Sequence, residues 1–164
     1  MIRRWLRHLC SEQWQVRRAF PAETLQNIEA AIRQAEISHR GEIRFAVEAG
    51  LDILPLLQNQ SARERALEVF SHLRVWDTEL NNGVLIYLLL AERDVEIVAD
   101  RGVNAKVGHQ AWEEICRDME ALFSSGRFEA GVLAGIDSVS SHLNRHYPKQ
   151  GSDANELPDA PVVL

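Results

Sequence analysis

Cysteine is scarce in this 164-residue chain, where only Cys10 and Cys116 occur. Neither belongs to a CxxC pair or to any metal-type spacing, so a disulfide framework and a zinc-ribbon site are excluded, and a reducing compartment is the simplest setting. Basic residues are also short: 18 Lys and Arg stand against 24 Asp and Glu, a net charge of −6. Nonspecific nucleic-acid binding needs concentrated cations to neutralise phosphates and does not fit that balance. No apolar run approaches the roughly 18 residues of a membrane span. The longest, residues 84–91, has the length of a strand. Near the start, Trp5-Leu6 gives way to Arg7-His8 before an apolar signal-peptide core develops. The catalytic patterns HExxH, GxSxG and GxxxxGK do not occur.

What is present suits one domain. The chain is 46% hydrophobic and 26% charged, enough apolar surface for a single core with an ordinary solvated exterior. Charge is nevertheless uneven. Arg3, Arg4, Arg7, Arg17 and Arg18 crowd the first eighteen residues beside the single acid Glu12. With Trp5, Leu6, Leu9 and Val16 near helical spacing, residues 1–19 read as a basic amphipathic helix, either a solvated face or a docking surface for an anionic membrane or acidic partner.

Pro21 suits the first turn of a helix over residues 22–39, with Leu25, Ile28, Ala31, Ile32, Ala35 and Ile37 as its stripe. Alternation over 42–49 predicts a strand, with Ile43, Phe45 and Val47 on one face and Glu42, Arg44, Ala46 and Glu48 on the other. Ser61 with Glu64 forms a capping-box pattern ahead of a helix to Leu73 that buries Ala66, Leu67, Val69, Phe70 and Leu73. Residues 84–90 are continuously apolar, as in a strand covered on both faces. Glu92-Arg93 turns the chain into a strand over 94–99, and Gly102 is expected to end it. Helices are expected over 107–123 and 128–147. The Cys116 thiol lies on the apolar face of the first of these, and the His142–His146 pair on the second reads as surface. Residues 148–164 shift to Gly, Ser, Asp, Asn and Pro, which predicts a disordered tail. The fold class is α/β: a mixed sheet of three to four strands between helices, preceded by the extra amphipathic helix, with the domain itself over 20–147.

Topology then brings distant residues together. A helical crossover makes the first two strands parallel, which places Glu42 and Gly83 at one end of the sheet. The hairpin returns Asp100 and Arg101 to that same end, facing the loop of Asp77, Glu79, Asn81 and Asn82. Such oxygen-rich loops suit calcium or magnesium. The same residues also serve as turn chemistry: Asn81-Asn82-Gly83 as a turn, Asp77 as a cap, Asp100 as a strand end. Arg44, on the polar face near Glu42, reads as a salt-bridge partner.

Several stretches resemble the TPM domain in its bacterial cytoplasmic branch. Residues 41–48 are similar to that family's first strand. Asn81-Asn82-Gly83-Val84-Leu85 is similar to its (D/N)NGVL motif, residues 95–107 with Asp100-Arg101-Gly102 to the stretch that follows, and 124–131 to the segment between the last two helices. The resemblance covers residues 20–147 and implies a sheet flanked by helices. It also implies a range of properties among members. Some plant relatives are acid phosphatases, some members bind calcium at the NG-loop rim, and bacterial genes of this kind neighbour LemA-type membrane proteins. The cytoplasmic branch carries no assigned activity. Two departures matter: many members have Asp where Asn81 or Asn82 stands, and the glycine-rich step after the third strand is Ala99-Asp100-Arg101-Gly102.

Two functions follow as expectations. In the first, the domain is a non-enzymatic module for a LemA-like membrane-associated partner or a membrane surface, binding through Arg3, Arg4, Trp5, Leu6 and Arg7, in the cytoplasm or peripheral to the inner membrane. In the second it is a divalent-cation-dependent, phosphatase-like hydrolase. Asp77, Asn81, Asn82 and Asp100 would hold calcium or magnesium there, Arg101 would bind the anion or neutralise the acids, and Glu42 and Arg44 would support them.

Overall fold

The computed structural model describes residues 4, 5, 8, 13–149, 151 and 154–164. Short helix α1 (Gln13–Ala19) leads into α2 (Ala22–Ala35), then β1 (Glu42–Glu48), α3 (Ile53–Leu57), α4 (Ala62–His72), β2 (Gly83–Leu89) and β3 (Asp94–Ala99). Helices α5 (Arg101–Val107), α6 (His109–Ser124) and α7 (Phe128–His146) follow, and β4 (Val162–Val163) closes the chain.

The four strands form one open sheet in the order β3-β2-β1-β4. β1 and β2 are parallel with Glu42 opposite Gly83, as the crossover rule requires. β3 returns antiparallel to β2, and β4 runs parallel to β1. Alternation sorts the sheet's side chains into two cores. Ile43, Phe45, Val47, Ile86 and Leu88 meet α2, α6 and α7, while Ala46, Leu85, Tyr87, Leu89 and Val98 meet α4. All seven residues of β1 are buried, so its polar face is covered and not solvated. Glu48 meets this by accepting a bidentate bond from Arg65 at 2.9 and 3.0 Å and one from the Tyr87 hydroxyl at 2.6 Å.

Several local expectations change in the structure. Ser61 does cap α4, with the reciprocal Glu64 bond in place. Leu67, expected inward, is 46% exposed, because the buried stripe runs through Ala62, Ala66, Val69 and Phe70. Ile37 is also exposed, since α2 stops at Ala35. Gly102 does not end a segment: Asp100 caps a helix that begins at Arg101, and the break falls at Gly108, whose φ of 86° favours glycine.

The ends of the chain also differ from the reading of composition. Residues 154–164 are not a disordered tail: Leu157 enters the second core and Val162–Val163 extend the sheet. Leu157, Val162 and Leu164 pack on the second core and main-chain hydrogen bonds fix the strand, so the polar composition of residues 149–153 does not extend through the tail. The boundary at residue 19 falls inside packed structure, because Val16 belongs to the main core. Of the basic segment, Arg3, Leu6 and Arg7 lie outside the described residues. Arg4 donates to the Glu92 carboxylate at 2.6 Å and to the Gln60 carbonyl at 2.5 Å, and Trp5 packs on the second core. No helix among the described residues is long and apolar enough to cross a membrane.

The two sides of the sheet end differently. On the outer edge of β3, Glu120 accepts from the Val95 N–H at 3.2 Å, Arg63 donates to the Ile97 carbonyl at 2.6 Å, and the Cys116 thiol lies against the Ile97 backbone. Side chains thus occupy ladder positions that another strand would use. Burial pushes the Cys116 thiol up to about 12, so it stays protonated as a small packing group.

Candidate site at the NNG rim

The amino ends of β1 and β2 gather the 40–42, 81–83 and 100–103 segments, as the sequence topology predicted. The Asp100 N–H donates to the Gly83 carbonyl at 2.9 Å and the Val103 N–H to the Asn81 carbonyl at 3.1 Å. Gly102 permits that contact, because a Cβ there would stand 2.5 Å from the Asn81 carbonyl oxygen. Asn81 itself has a φ of 52°, a left-handed conformation that asparagine tolerates better than most residues.

Asn82 is fully buried. Its Nδ2 donates to the Arg40 carbonyl at 2.6 Å and its N–H to Thr78 Oγ1 at 3.1 Å, leaving Oδ1 with no protein partner. Asp100 is 9% exposed; its Oδ1 accepts the Arg101 N–H at 2.6 Å as the helix cap, and its Oδ2 is buried without a protein partner. The Arg101 guanidinium, expected beside the acids, donates through Nε to Asn81 Oδ1 at 3.1 Å. Asp77 stands apart on the half-exposed surface, paired with Arg74 at 2.7 Å. Glu79 is exposed, and its carboxylate meets Arg40 at 3.5 Å. Among the described residues no three or more His, Cys, Asp or Glu side chains converge as a metal-ligand group.

Glu42 and Arg44 do not pair as the alternation suggested. The buried Glu42 carboxylate accepts the N–H groups of Glu156 and Leu157, each at 3.1 Å, and burial raises its pKa. Arg44 is 6% exposed, with Nε and Nη1 unpartnered. Burial lowers its pKa while the charges of Asp159 and Glu36 oppose that.

Beside this rim lies a cavity of about 140 Å³ that sequence reasoning missed, lined by Glu36, His39, Arg40, Glu42, Lys149 and Asp159 among others. Glu36 accepts the Ile43 N–H at 2.8 Å, and burial lifts its carboxyl to about 8. His39 is 1% exposed and lies 3.0 Å from the Gly41 carbonyl through Nδ1. Burial lowers its pKa to about 4, so the ring is neutral at pH 7 and donates from Nδ1. None of Glu36, His39 or Asp159 sits in a local motif. Only the docking of the tail brings Asp159 to Arg33 at the end of α2, beside Glu36, and no sequence signal announced it.

The TPM domain model matches residues 17–142. The chain belongs to the TPM domain family. The NNG turn, the β2–β3 hairpin and the Asp100–Arg101 step all fall within the matched span of this TPM domain. A solved relative, the NMR structure of BA42 protein from the psychrophilic bacterium Bizionia argentinensis sp. nov., is 31% identical. The similarity covers 88% of this chain and 95% of that one, with a TM-score of 0.78. No curated protein matches this TPM domain.

Proposed function

We propose that this TPM domain is a non-enzymatic binding module that takes calcium or magnesium at the NNG rim and serves a membrane-associated partner through its basic amino-terminal segment. The supporting observation is the pair of buried oxygens, Asn82 Oδ1 and Asp100 Oδ2, left unsatisfied by protein groups at the end of the sheet where Asp100 bonds Gly83. A buried polar atom without a partner costs about 1–3 kcal/mol, and oxygens of this kind are ligands for hard cations. One carboxylate and one amide bring a single formal negative charge, which favours weak affinity, about 10⁻⁴–10⁻³ M. Glu42, Arg101 and Asp77 are committed to the tail, Asn81 and Arg74 respectively. That commitment supports binding over turnover. On the partner side, Arg17 and Arg18 are exposed on α1 and Trp14 is 53% exposed beside them.

One set of measurements on the full chain tests both halves. Calcium and magnesium are titrated calorimetrically into the protein and into Asp100→Asn, with phosphomonoester turnover followed in parallel. Sedimentation with phosphatidylglycerol vesicles is compared for the protein and Arg17→Glu/Arg18→Glu. The expected result is saturable heat weakened about tenfold or more by Asp100→Asn, background turnover throughout, and sedimentation lost on charge reversal. No heat with either ion ends the cation reading, and cation-dependent turnover abolished by Asp100→Asn establishes a hydrolase instead. Sedimentation unchanged by charge reversal removes the amino-terminal docking surface.

A further inference from the structure

The cavity beside the rim offers acceptors on its buried side. His39 donates from Nδ1 to the Gly41 carbonyl at 3.0 Å, and its Nε2 lone pair is buried without a protein partner. The Glu36 carboxyl accepts the Ile43 N–H through one oxygen at 2.8 Å and lies against the Asp159 carboxylate, with Glu42 close enough to add its charge. Glu42 and Asp159 are themselves buried.

Its outer side is cationic. Arg33 and Lys149 are exposed there beside the half-buried Arg40. Lys149 Nζ donates to the Glu36 carbonyl at 3.1 Å, which holds its charge over this end of α2. Among the described residues no three acids or histidines converge as a metal-ligand group. A cation that hydrogen-bonds to these acceptors suits them better than one that coordinates. An ammonium does so: it carries three donors on one charge and meets a carboxylate and an imidazole lone pair together. The volume of about 140 Å³ admits a ligand of only a few non-hydrogen atoms, since each water of the liquid takes roughly 30 Å³.

We propose that this cavity binds a small α-amino acid, its ammonium on the His39, Glu36 and Asp159 acceptors and its carboxylate toward Lys149 and Arg40. The order of charge, acceptors within and cations without, is the complement of that zwitterion. The two carboxyls in contact retain a proton between them. An ammonium arriving there supplies the positive charge instead, and the proton leaves to solvent. Burial, together with the charges of Glu42 and Asp159, keeps Glu36 protonated at pH 7, while the Arg44 charge acts on Glu36 and Asp159 from β1. Binding therefore releases a proton below about pH 8 and tightens as pH rises toward that value. The site uses none of the NNG-rim oxygens or amino-terminal cations, and it does not depend on the cation and membrane reading.

The full chain is titrated with glycine at about pH 7, with methylammonium and acetate as separate arms. The His39 ring is followed by heteronuclear NMR, and heats are measured in buffers of different ionisation enthalpy. Glycine is expected to saturate, to shift the His39 Nε2 resonance, and to release about one proton for each ligand bound. Methylammonium and acetate each carry half of the recognition, and each is expected to bind about tenfold more weakly or worse, the loss of a charge-assisted hydrogen bond. Glu36→Gln keeps an acceptor for the Ile43 N–H. It is expected to abolish the proton release and to weaken glycine about tenfold. Lys149→Gln, at an exposed position, is expected to weaken glycine and leave methylammonium unchanged. Glycine that fails to saturate overturns the proposal and leaves the cavity to water. Methylammonium or acetate binding as tightly as glycine also overturns it, and assigns the cavity to a simple cation or anion. Proton release that persists in Glu36→Gln removes the ammonium from the Glu36–Asp159 pair and overturns it as well.

Discussion

Gly102 stands where α5 and the turn before β2 meet backbone to backbone. An added methyl at Gly102 would lie 2.5 Å from the Asn81 carbonyl oxygen and 2.9 Å from that of Leu80. Neither is the movable tip of a side chain, so the relief has to come from separating the two segments. Gly102→Ala is expected to destabilise the fold by about 1–3 kcal/mol, the cost of overpacking, and to lower the thermal midpoint measured by circular dichroism. Gly135→Ala makes a useful contrast: there the obstruction is the flexible Met119 side chain, so the loss should be smaller. At this scale the sequence announced where residues lie but not which atoms they hold. That Glu42 and Gly83 share one end of the sheet, and that Asp100 returns to it, was legible from strand order alone. The partners of Glu42 and Arg101 were not, because alternation assigns a side chain to a face and says nothing of what else covers that face.

Among the elements, α4 was the most legible, since Ser61 and Glu64 satisfy each other's backbone donors at its start. Ser61→Ala removes the hydroxyl that accepts the Glu64 N–H at 3.2 Å. A loss of about 1 kcal/mol is expected, read as a lower urea midpoint. The α5–α6 pair was less legible because a glycine ends some helices and is tolerated in the first turn of others. Asp100 decides the matter by capping, and Gly108 then takes the positive φ between the two helices. β4 was hidden for a different reason. It is only two residues long, and the burial that secures it comes from Leu157, five residues earlier, with Val162 and Leu164 against the same core. A composition window over 148–164 dilutes Leu157, Val162, Val163 and Leu164 with the polar residues 149–153.

For the molecule as a whole, pH dependence should carry the mark of the cavity beside the rim. Burial holds Glu36 near 8 against an ordinary 4.5, so the folded chain keeps a proton that the unfolded chain releases between those values. Its contribution to stability is complete below about pH 4.5 and is lost as pH rises toward 8. His39 acts in the opposite sense: held near 4 against 6.5, it contributes fully above 6.5 and loses that contribution as pH falls toward 4. The two oppose each other between 4.5 and 6.5, and above 6.5 Glu36 acts without that offset. Glu36→Gln keeps an acceptor for the Ile43 N–H and removes the ionisation. Relative to the unmodified protein, its urea midpoint should gain from pH 6.5 to 8; an unchanged difference across that interval would count against the assignment.

The two margins of the sheet have unequal fates. Along β3 the outward Val95 amide and Ile97 carbonyl are stoppered by Glu120 and Arg63, whereas along β1 the same office falls to the short strand β4. A row of capping side chains on one flank and a two-residue strand on the other leave little ladder for a foreign strand to extend, which disfavours growth into a fibril.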